Sequence, residues 1–272
     1  MENNSENICK LKYEFIKNYA GNSHTTEILP NSTSNYLPIK NEHISLLHKF
    51  MENNSIYSKK IFHDMLDIPC TIFEGDLNNY WIDSIKHDAS YAPFYPTWML
   101  SAFSLAIEAY NLGFEQIIDI GSGDGRIAYC GKILSLDSLS IEIDEHLTNL
   151  QESISRKTSV QFNPTCTDAT TFDYEKISKK PSIFVIGGVS EIGEVLAESV
   201  ITKVLETKHL LNSVFVLTGS HSHRKFSRDT SNFGWGTTIK KLGLRAISTI
   251  SLPTYWTMEQ KFETPYIFTK KG

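Results

Sequence analysis

Between Ile117 and Arg126 the sequence reads Ile-Ile-Asp119-Ile-Gly121-Ser122-Gly123-Asp124-Gly125-Arg126, an apolar run that ends in three glycines at alternate positions. Residues without side chains let the backbone approach a ligand closely, and a helix starting there offers free N–H donors. The chemistry this implies is small-molecule binding at the carboxyl end of a strand. Spacing decides which molecule. A dinucleotide fingerprint needs Gly-x-Gly-x-x-Gly, so that a pyrophosphate rests on the helix N-terminus, and here the sixth position is Arg126. The phosphate-binding pattern Gly-x-x-x-x-Gly-Lys-Ser/Thr is absent too. Asp119 and Asp124 flank the loop, and carboxylates repel a pyrophosphate while they suit a cationic or amine-bearing ligand. A positively charged nucleoside fits better than a nucleotide phosphate.

Two further acids follow at ordered positions. Glu142 closes the next apolar run, Leu139-Ser-Ile-Glu142-Ile-Asp144, where a carboxylate can accept both hydroxyls of a ribose. Asp168, in Cys166-Thr-Asp-Ala-Thr-Thr171, follows the third run, near where an adenine edge would lie. The ordered set Asp-x-Gly-x-Gly-x-Gly, Glu-x-Asp and Asp-Ala resembles the class I S-adenosylmethionine-dependent methyltransferases. That resemblance implies a Rossmann-like seven-stranded sheet with its last strand antiparallel, covering roughly Tyr91 to Gly272, and S-adenosylmethionine as cofactor. It implies Asp119 and Gly121 near the methionine end of the cofactor, with Gly123 and Gly125 shaping the loop beside Ser122. Glu142 is implied at the ribose and Asp168 at adenine. A narrower resemblance is to the compact archaeal protein-lysine methyltransferases, which share a Tyr-x-Pro lead-in, Gly-x-Gly-Asp-Gly-Arg, a Glu-Ile after the second strand and a Ser-His after the fifth. Here that last pair reads Ser220-His221.

Methyl transfer from a sulfonium is an in-line displacement, for which orientation alone can supply ~7–11 kcal/mol, so no elaborate triad is required. A lysine acceptor must first lose its proton, and an aromatic slot helps by desolvating the amine. Many methyltransferases of planar nitrogens carry Asn/Asp-Pro-Pro-Tyr after the fourth strand. Here that position reads Ile186-Gly187-Gly188-Val189-Ser190-Glu191, which disfavours such acceptors. On the acceptor side, Glu191 can orient an amine, His221 and His223 can take a proton, and Tyr91, Tyr95, Tyr255 and Trp256 can wall the slot. Tyr95, Glu191 and His221 are the catalytic candidates. Each has a plainer reading. Glu191 and Glu194 suit the first turn of a helix capped by Ser190. The histidines suit a solvated loop and lack a third partner for a metal. The tyrosines suit packing on a sheet, and Asp124 suits a helix cap.

The elements that must carry these residues follow from periodicity. Gln116–Ile120, Leu139–Ile143, Ile183–Ile186 and Val214–Leu217 are short, apolar and rich in β-branched side chains, as strands buried on both faces are. Between them Arg126–Leu134, Leu147–Ile154 and Ile192–Leu205 carry helical spacing, and the alternation predicts an α/β layered fold. Leu244–Leu252 and Tyr266–Lys270 read as a closing antiparallel hairpin. Upstream, Met99–Tyr110 reads as a helix stopped by Gly113, and Tyr91–Thr97 as a stiff aromatic segment. Residues 1–90 are expected to form a helical extension. Cys9–Tyr19 has helical spacing, Gly21–Asn35 reads as loop, and helical stripes run through Ile44, Leu47, Phe50 and Met51, then through Tyr57, Ile61, Phe62, Met65 and Leu66. Leu77–Ile85 is a third candidate. Residues 91–272 form the expected methyltransferase domain.

Composition sets the outer bounds. With 40% hydrophobic and 21% charged residues among 272, the chain has apolar mass for a sizeable core. A formal charge of −5 supplies no net positive field, so nucleic acid is not the expected partner, and neither is a membrane. Four cysteines without a Cys-x-x-Cys pair fit a reducing interior and no metal. A polar start and the lack of an apolar run of about 18 residues place the chain in the cytoplasm. The expected activity is direct methyl transfer to an acceptor that is a protein lysine or a small metabolite. The alternatives are a cofactor-binding module without turnover and, opposed by the glycine spacing, a nicotinamide-dependent oxidoreductase.

Overall fold

The structure, a computed structural model, describes residues 4–19, 25–77, 94, 96–188, 190–218, 235–253 and 263–272. Its centre is a seven-stranded sheet whose strands alternate cleanly between two apolar faces. Ile117 and Ile118 in β4 (Gln116–Ile120), Ile183 and Phe184 in β7 (Ser182–Ile186), and Val214 and Phe215 in β8 (Val214–Thr218) each send neighbouring side chains into different buried clusters. A strand that is apolar at every position needs a layer on both sides. One face is covered by α3 (Met99–Asn111), α4 (Arg126–Ile133) and α5 (Glu145–Thr158). The other is covered by α6 (Ser190–Glu206) and α7 (Trp235–Lys241).

With β5 (Asp137–Glu142), β6 (Asn163–Cys166), β9 (Leu244–Pro253) and β10 (Glu263–Lys271), the strand order is β6-β5-β4-β7-β8-β10-β9. Strands β4 to β8 pair in parallel, whereas β10 runs antiparallel to both β8 and β9. This is the Rossmann-like sheet with an antiparallel last strand that the motifs implied. The chain leaves β4 toward β5 on one side and reaches β7 on the other, so the carboxyl end of β4 is where the winding reverses and where such sheets place ligands. Gly113 follows α3 with φ +82°, a left-handed stop. Among the described residues, no helix is long and apolar enough to cross a membrane.

The N-terminal region departs from the expected helices. Besides α1 (Ser5–Asn18) and α2 (Asn41–Asn53) it holds an antiparallel sheet of β1 (Thr25–Pro30), β2 (Tyr57–Met65) and β3 (Ile68–Gly75), ordered β1-β3-β2. Part of the stretch read as loop is β1, buried along its whole length. The stripe Tyr57, Ile61, Met65 read as helix is a strand, and the reason is arithmetic. A spacing of four is one helical turn, but it is also an even number, so Ile61 and Met65 share one face of a strand, while a register shift between Tyr57 and Lys59 sets Tyr57 apart from them. Phe62, of opposite parity, is 73% exposed. The turn into β3 is Leu66-Asp67, both left-handed at φ 52° and 58°, a two-residue hairpin turn without the Asn-Gly that usually announces it. The Leu77–Ile85 candidate lies, after Leu77, outside the described residues.

This region is built onto the larger sheet. Helix α1 packs against β9 and α3, and α2 against α4 and α5. Ile8, Phe15, Ile28, Leu47 and Phe50 belong to the same buried cluster as Leu100, Ile127 and Leu150.

The hairpin assignment has a direct consequence. Changing Leu66 to Asn together with Asp67→Gly relieves two left-handed residues, so stability should rise by about 1 kcal/mol, or roughly 2–4 °C in melting temperature. A helix across 57–66 would instead lose roughly 0.5 kcal/mol when asparagine replaces leucine at 66, and calorimetric melting of Leu66→Asn alone, beside the double variant, separates the two.

Candidate functional site

The loop between β4 and α4 turns sharply because three of its residues are left-handed, Gly121 at φ +64°, Gly123 at +58° and Gly125 at +78°. A Cβ on Gly125 would lie 2.8 Å from the Phe162 ring and 3.0 Å from the Gln151 side chain, and one on Gly123 would run into the Phe94 ring. Gly121 differs. The nearest atom to its would-be Cβ is Leu196 Cδ2 at 3.9 Å, so its glycine is required by conformation and the space beside it is open. The opposing strand end is tight, since a Cβ on Gly187 would lie 2.8 Å from the Gly121 carbonyl oxygen.

The neighbouring elements fix the loop by hydrogen bonds. Gly121 and Ser122 donate their N–H groups to the Ile141 carbonyl at 2.9 and 3.2 Å. Gln151, fully buried on α5, donates to Ser122 Oγ at 2.9 Å and to the Gly123 carbonyl at 2.7 Å, and accepts from Ser140 Oγ. Glu142, at the end of β5, accepts the Gly123 N–H through Oε2 at 2.8 Å. Its Oε1 accepts from Ile143 and Asp144 N–H at 2.9 and 3.1 Å. A carboxylate offers about four acceptor sites, so three are filled and one remains. Glu142 therefore has room for a single hydroxyl, where the sequence led us to expect two. Burial pushes its pKa up, while the three N–H groups pull the other way.

Asp119, in β4 and 1% exposed, is the least compensated group of the site. Its Oδ2 has no hydrogen-bond partner among the described residues. Burial holds its pKa well above the ordinary aspartate value, the Ala128 N–H opposes this, and the nearby Asp124 and Glu142 add to it. Asp168 stands just past β6, next to Glu142, whose carbonyl accepts the Thr167 N–H at 2.8 Å. Its Oδ1 accepts both the N–H and the hydroxyl of Thr170 at 2.7 Å.

Arg126 was not among the candidate site residues. It is 2% exposed and all five of its N–H donors are engaged. Nε donates to Asp124 Oδ1 at 2.9 Å and Nη2 to Asp124 Oδ2 at 2.6 Å. Nη1 donates to Glu27 and to the Thr97 carbonyl, and the second Nη2 hydrogen reaches Tyr57 Oη at 3.1 Å. Asp124 also accepts from Asn54 Nδ2 at 2.9 Å. Gly125 and not Asp124 holds the cap position of α4; Asp124 Oδ1 accepts the Arg126 N–H at 3.4 Å, and its shorter bonds are to the Arg126 guanidinium. The one visible signal for this was a charged Asp-Gly-Arg inside an otherwise apolar strand-to-helix turn.

Asp119, Gly121, Ser122, Gly123, Gly125 and Glu142 therefore converge, with Asp168 beside them. Tyr91, Tyr95, His221, His223, Tyr255 and Trp256 lie outside the described residues. Glu191 lies in the first turn of α6, and its side chain is outside what is described. Around the loop the carboxyls of Glu27, Asp119, Asp124 and Glu142 are buried, and Glu27 and Asp124 bond the Arg126 guanidinium. Burial raises the pKa of Glu27, Asp119 and Glu142, and a cationic ligand favours their charged forms where a phosphate opposes them.

No family model matches the chain, and no curated protein matches it by sequence. Among solved structures it is similar to a protein of Pyrococcus horikoshii described as an RNA methyltransferase, at 16% identity and a TM-score of 0.46 over 71% of this chain and 98% of that one. It is similar to the tRNA (uracil-54, C5)-methyltransferase of Pyrococcus abyssi, solved with S-adenosyl-L-homocysteine, at 13% identity and a TM-score of 0.46. That likeness covers 65% of this chain and spans 39% of the other. It is also similar to the glycopeptide N-methyltransferase MtfA, solved with S-adenosyl-L-methionine, at 11% identity and a TM-score of 0.44, covering 63% and 94%. What the site of this chain can hold follows from its own residues.

The raised pKa of Asp119 makes stability depend on pH with a definite sign. Its contribution is fully present below the unfolded value near 3.8 and is lost as pH rises through the higher folded value. Asp119→Asn removes that loss, so the ligand-free variant should melt higher than the unsubstituted protein at neutral pH, by about 1–3 kcal/mol, and the gap should close in acid. Melting curves across pH check both the sign and the closure.

Proposed function

We propose that this protein is an S-adenosylmethionine-dependent methyltransferase that transfers the methyl group directly to an amine. The observation that carries this is the junction of the glycine loop with Glu142, where a buried carboxylate grips the Gly123 N–H and keeps one acceptor site for a ribose hydroxyl. The unpartnered Asp119 oxygen supports a ligand with a cationic amine, and the open side of Gly121 leaves room for it. Asp168, one strand further, is suited to an adenine amine. We take residues 91–272 as the cofactor-binding domain and 1–90 as a segment built onto it.

The residues fit the cofactor, which when bound supplies a methyl group on positively charged sulfur. Asp119, Glu142 and Asp168 would hold the cofactor beside the glycine loop, and an acceptor amine in line with the methyl group would take that group, leaving S-adenosylhomocysteine, and would give up its proton to water or a nearby base. The protein's part is to align the partners and exclude water. The surplus of buried carboxylates holds the charged donor more firmly than the neutral product, which favours exchange after turnover.

For the acceptor, protein lysine remains the proposed class, with a small metabolite as the alternative. Gly187, held against the Gly121 carbonyl, stands where enzymes of planar nitrogens carry Asn or Asp, which supports an acceptor that needs no planar grip. Glu191 and, outside the described residues, Tyr95 and His221 are the proposed acceptor-side groups. A binding module without turnover would keep the same loop.

Isothermal titration tests the cofactor: S-adenosylhomocysteine should bind and NADH should not. Glu142→Gln places an amide against three N–H donors and should weaken binding about tenfold or more. Labelled methyl donor in cell extract then sorts the acceptor, since label is expected in protein hydrolysed to methyl-lysine. Label in small molecules or in RNA would move the acceptor to that class, and none would favour the module.

A further inference from the structure

We propose that Glu27 and Asn54 are positioning residues for the glycine loop, so that the N-terminal segment completes the cofactor site; this rests on the reading of that loop as the seat of S-adenosylmethionine. A loop with three glycines has many conformations to lose, and whatever fixes it before binding lowers the cost of binding. Among the described residues, the larger domain holds the first half through Gln151 and Glu142 at Ser122 and Gly123, and reaches Arg126 through the Thr97 carbonyl. The remaining side-chain partners of Asp124 and Arg126, namely Glu27, Asn54 and Tyr57, come from the N-terminal segment.

Asn54, at the end of α2, has its amide oriented by the Ile56 N–H, which donates to its Oδ1 at 3.1 Å, and its Nδ2 then donates to Asp124. Glu27, in β1, accepts the Met99 N–H at the start of α3 through Oε2 at 3.0 Å and receives Arg126 on Oε1. One carboxylate thus joins the N-terminal sheet, the start of α3 and the residue that ends the loop. Glu27, Asn54, Asp124 and Arg126 are all buried to 2% exposure or less. Without Glu27 and Asn54, Asp124 and Arg126 still pair with each other, yet the pair loses two of its four ties to a fixed frame, keeping Tyr57 and the Thr97 carbonyl. The expected result is a looser loop and weaker cofactor binding.

The test uses the full chain with Glu27→Gln and Asn54→Ala. Glu74→Gln serves as control, because Glu74 lies in the same small sheet but bonds to Tyr19 and Lys59. Affinity for S-adenosylhomocysteine should fall about tenfold in the first two, the order expected when a hydrogen bond to a charged group is lost. Amide exchange at 121–126 should quicken in both without ligand. Glu74→Gln should change melting alone. Wild-type affinity and exchange in folded Glu27→Gln and Asn54→Ala overturn the proposal, as does an equal loss of affinity in the control. Should Glu27→Gln fail to fold, Asn54→Ala decides, since it leaves every charge paired. If the unsubstituted protein ignores S-adenosylhomocysteine the cofactor reading falls, and the exchange rates alone judge positioning.

Discussion

Four carboxylates, those of Glu27, Asp119, Asp124 and Glu142, are buried around one turn of chain, and the Arg126 guanidinium is bonded to two of them, Glu27 and Asp124. Burying a charge is costly unless it is paired and hydrogen-bonded, so each of the four must find its own solution. Asp124 and Glu27 share Arg126. Glu142 is satisfied by three backbone N–H groups. Asp119 has one N–H and an oxygen left over among the described residues. A fold that tolerates this arrangement stores negative potential at the carboxyl end of its central strand, and a positively charged ligand relieves it.

The same constraint explains why the N-terminal region is inseparable from the site. A buried ion pair is weak evidence for stability, because desolvation offsets much of the attraction, but it fixes geometry sharply. Arg126 can be buried because the donors it cannot satisfy within the loop are met by Glu27, Tyr57 and the Thr97 carbonyl. The apolar core crosses the same boundary, since side chains of α1, β1 and α2 pack in one cluster with those of α3, α4 and α5.

The sequence was most legible where one physical demand dominates. Strands buried on both faces must be apolar at every position, and Gln116–Ile120 was read to the residue while Ile183–Ile186 and Val214–Leu217 each gained one. Three alternate glycines at a strand end signalled a strand-to-helix turn close to a ligand, and Glu142 followed from its place at the next strand end. Legibility failed where two periods coincide, as at Ile61 and Met65, and where a hairpin turn lacks glycine. It also failed for partners far apart in sequence. Glu27 and Arg126 are separated by 99 positions, and no local pattern around Glu27 reveals that its carboxylate belongs to the loop. Gln151 was hidden too: it stands on the buried stripe of α5 between Leu147 and Ile154, and nothing local names Ser122 and the Gly123 carbonyl as its partners.

The central claim is that this turn and the carboxylates around it seat a sulfonium nucleoside. A crystal structure of the full chain grown with S-adenosylhomocysteine tests it most directly. The account predicts a ribose hydroxyl on the free acceptor site of Glu142 and the amino end of the ligand at Asp119. A nucleoside seated elsewhere on the protein, or a phosphate resting on the start of α4, would contradict it.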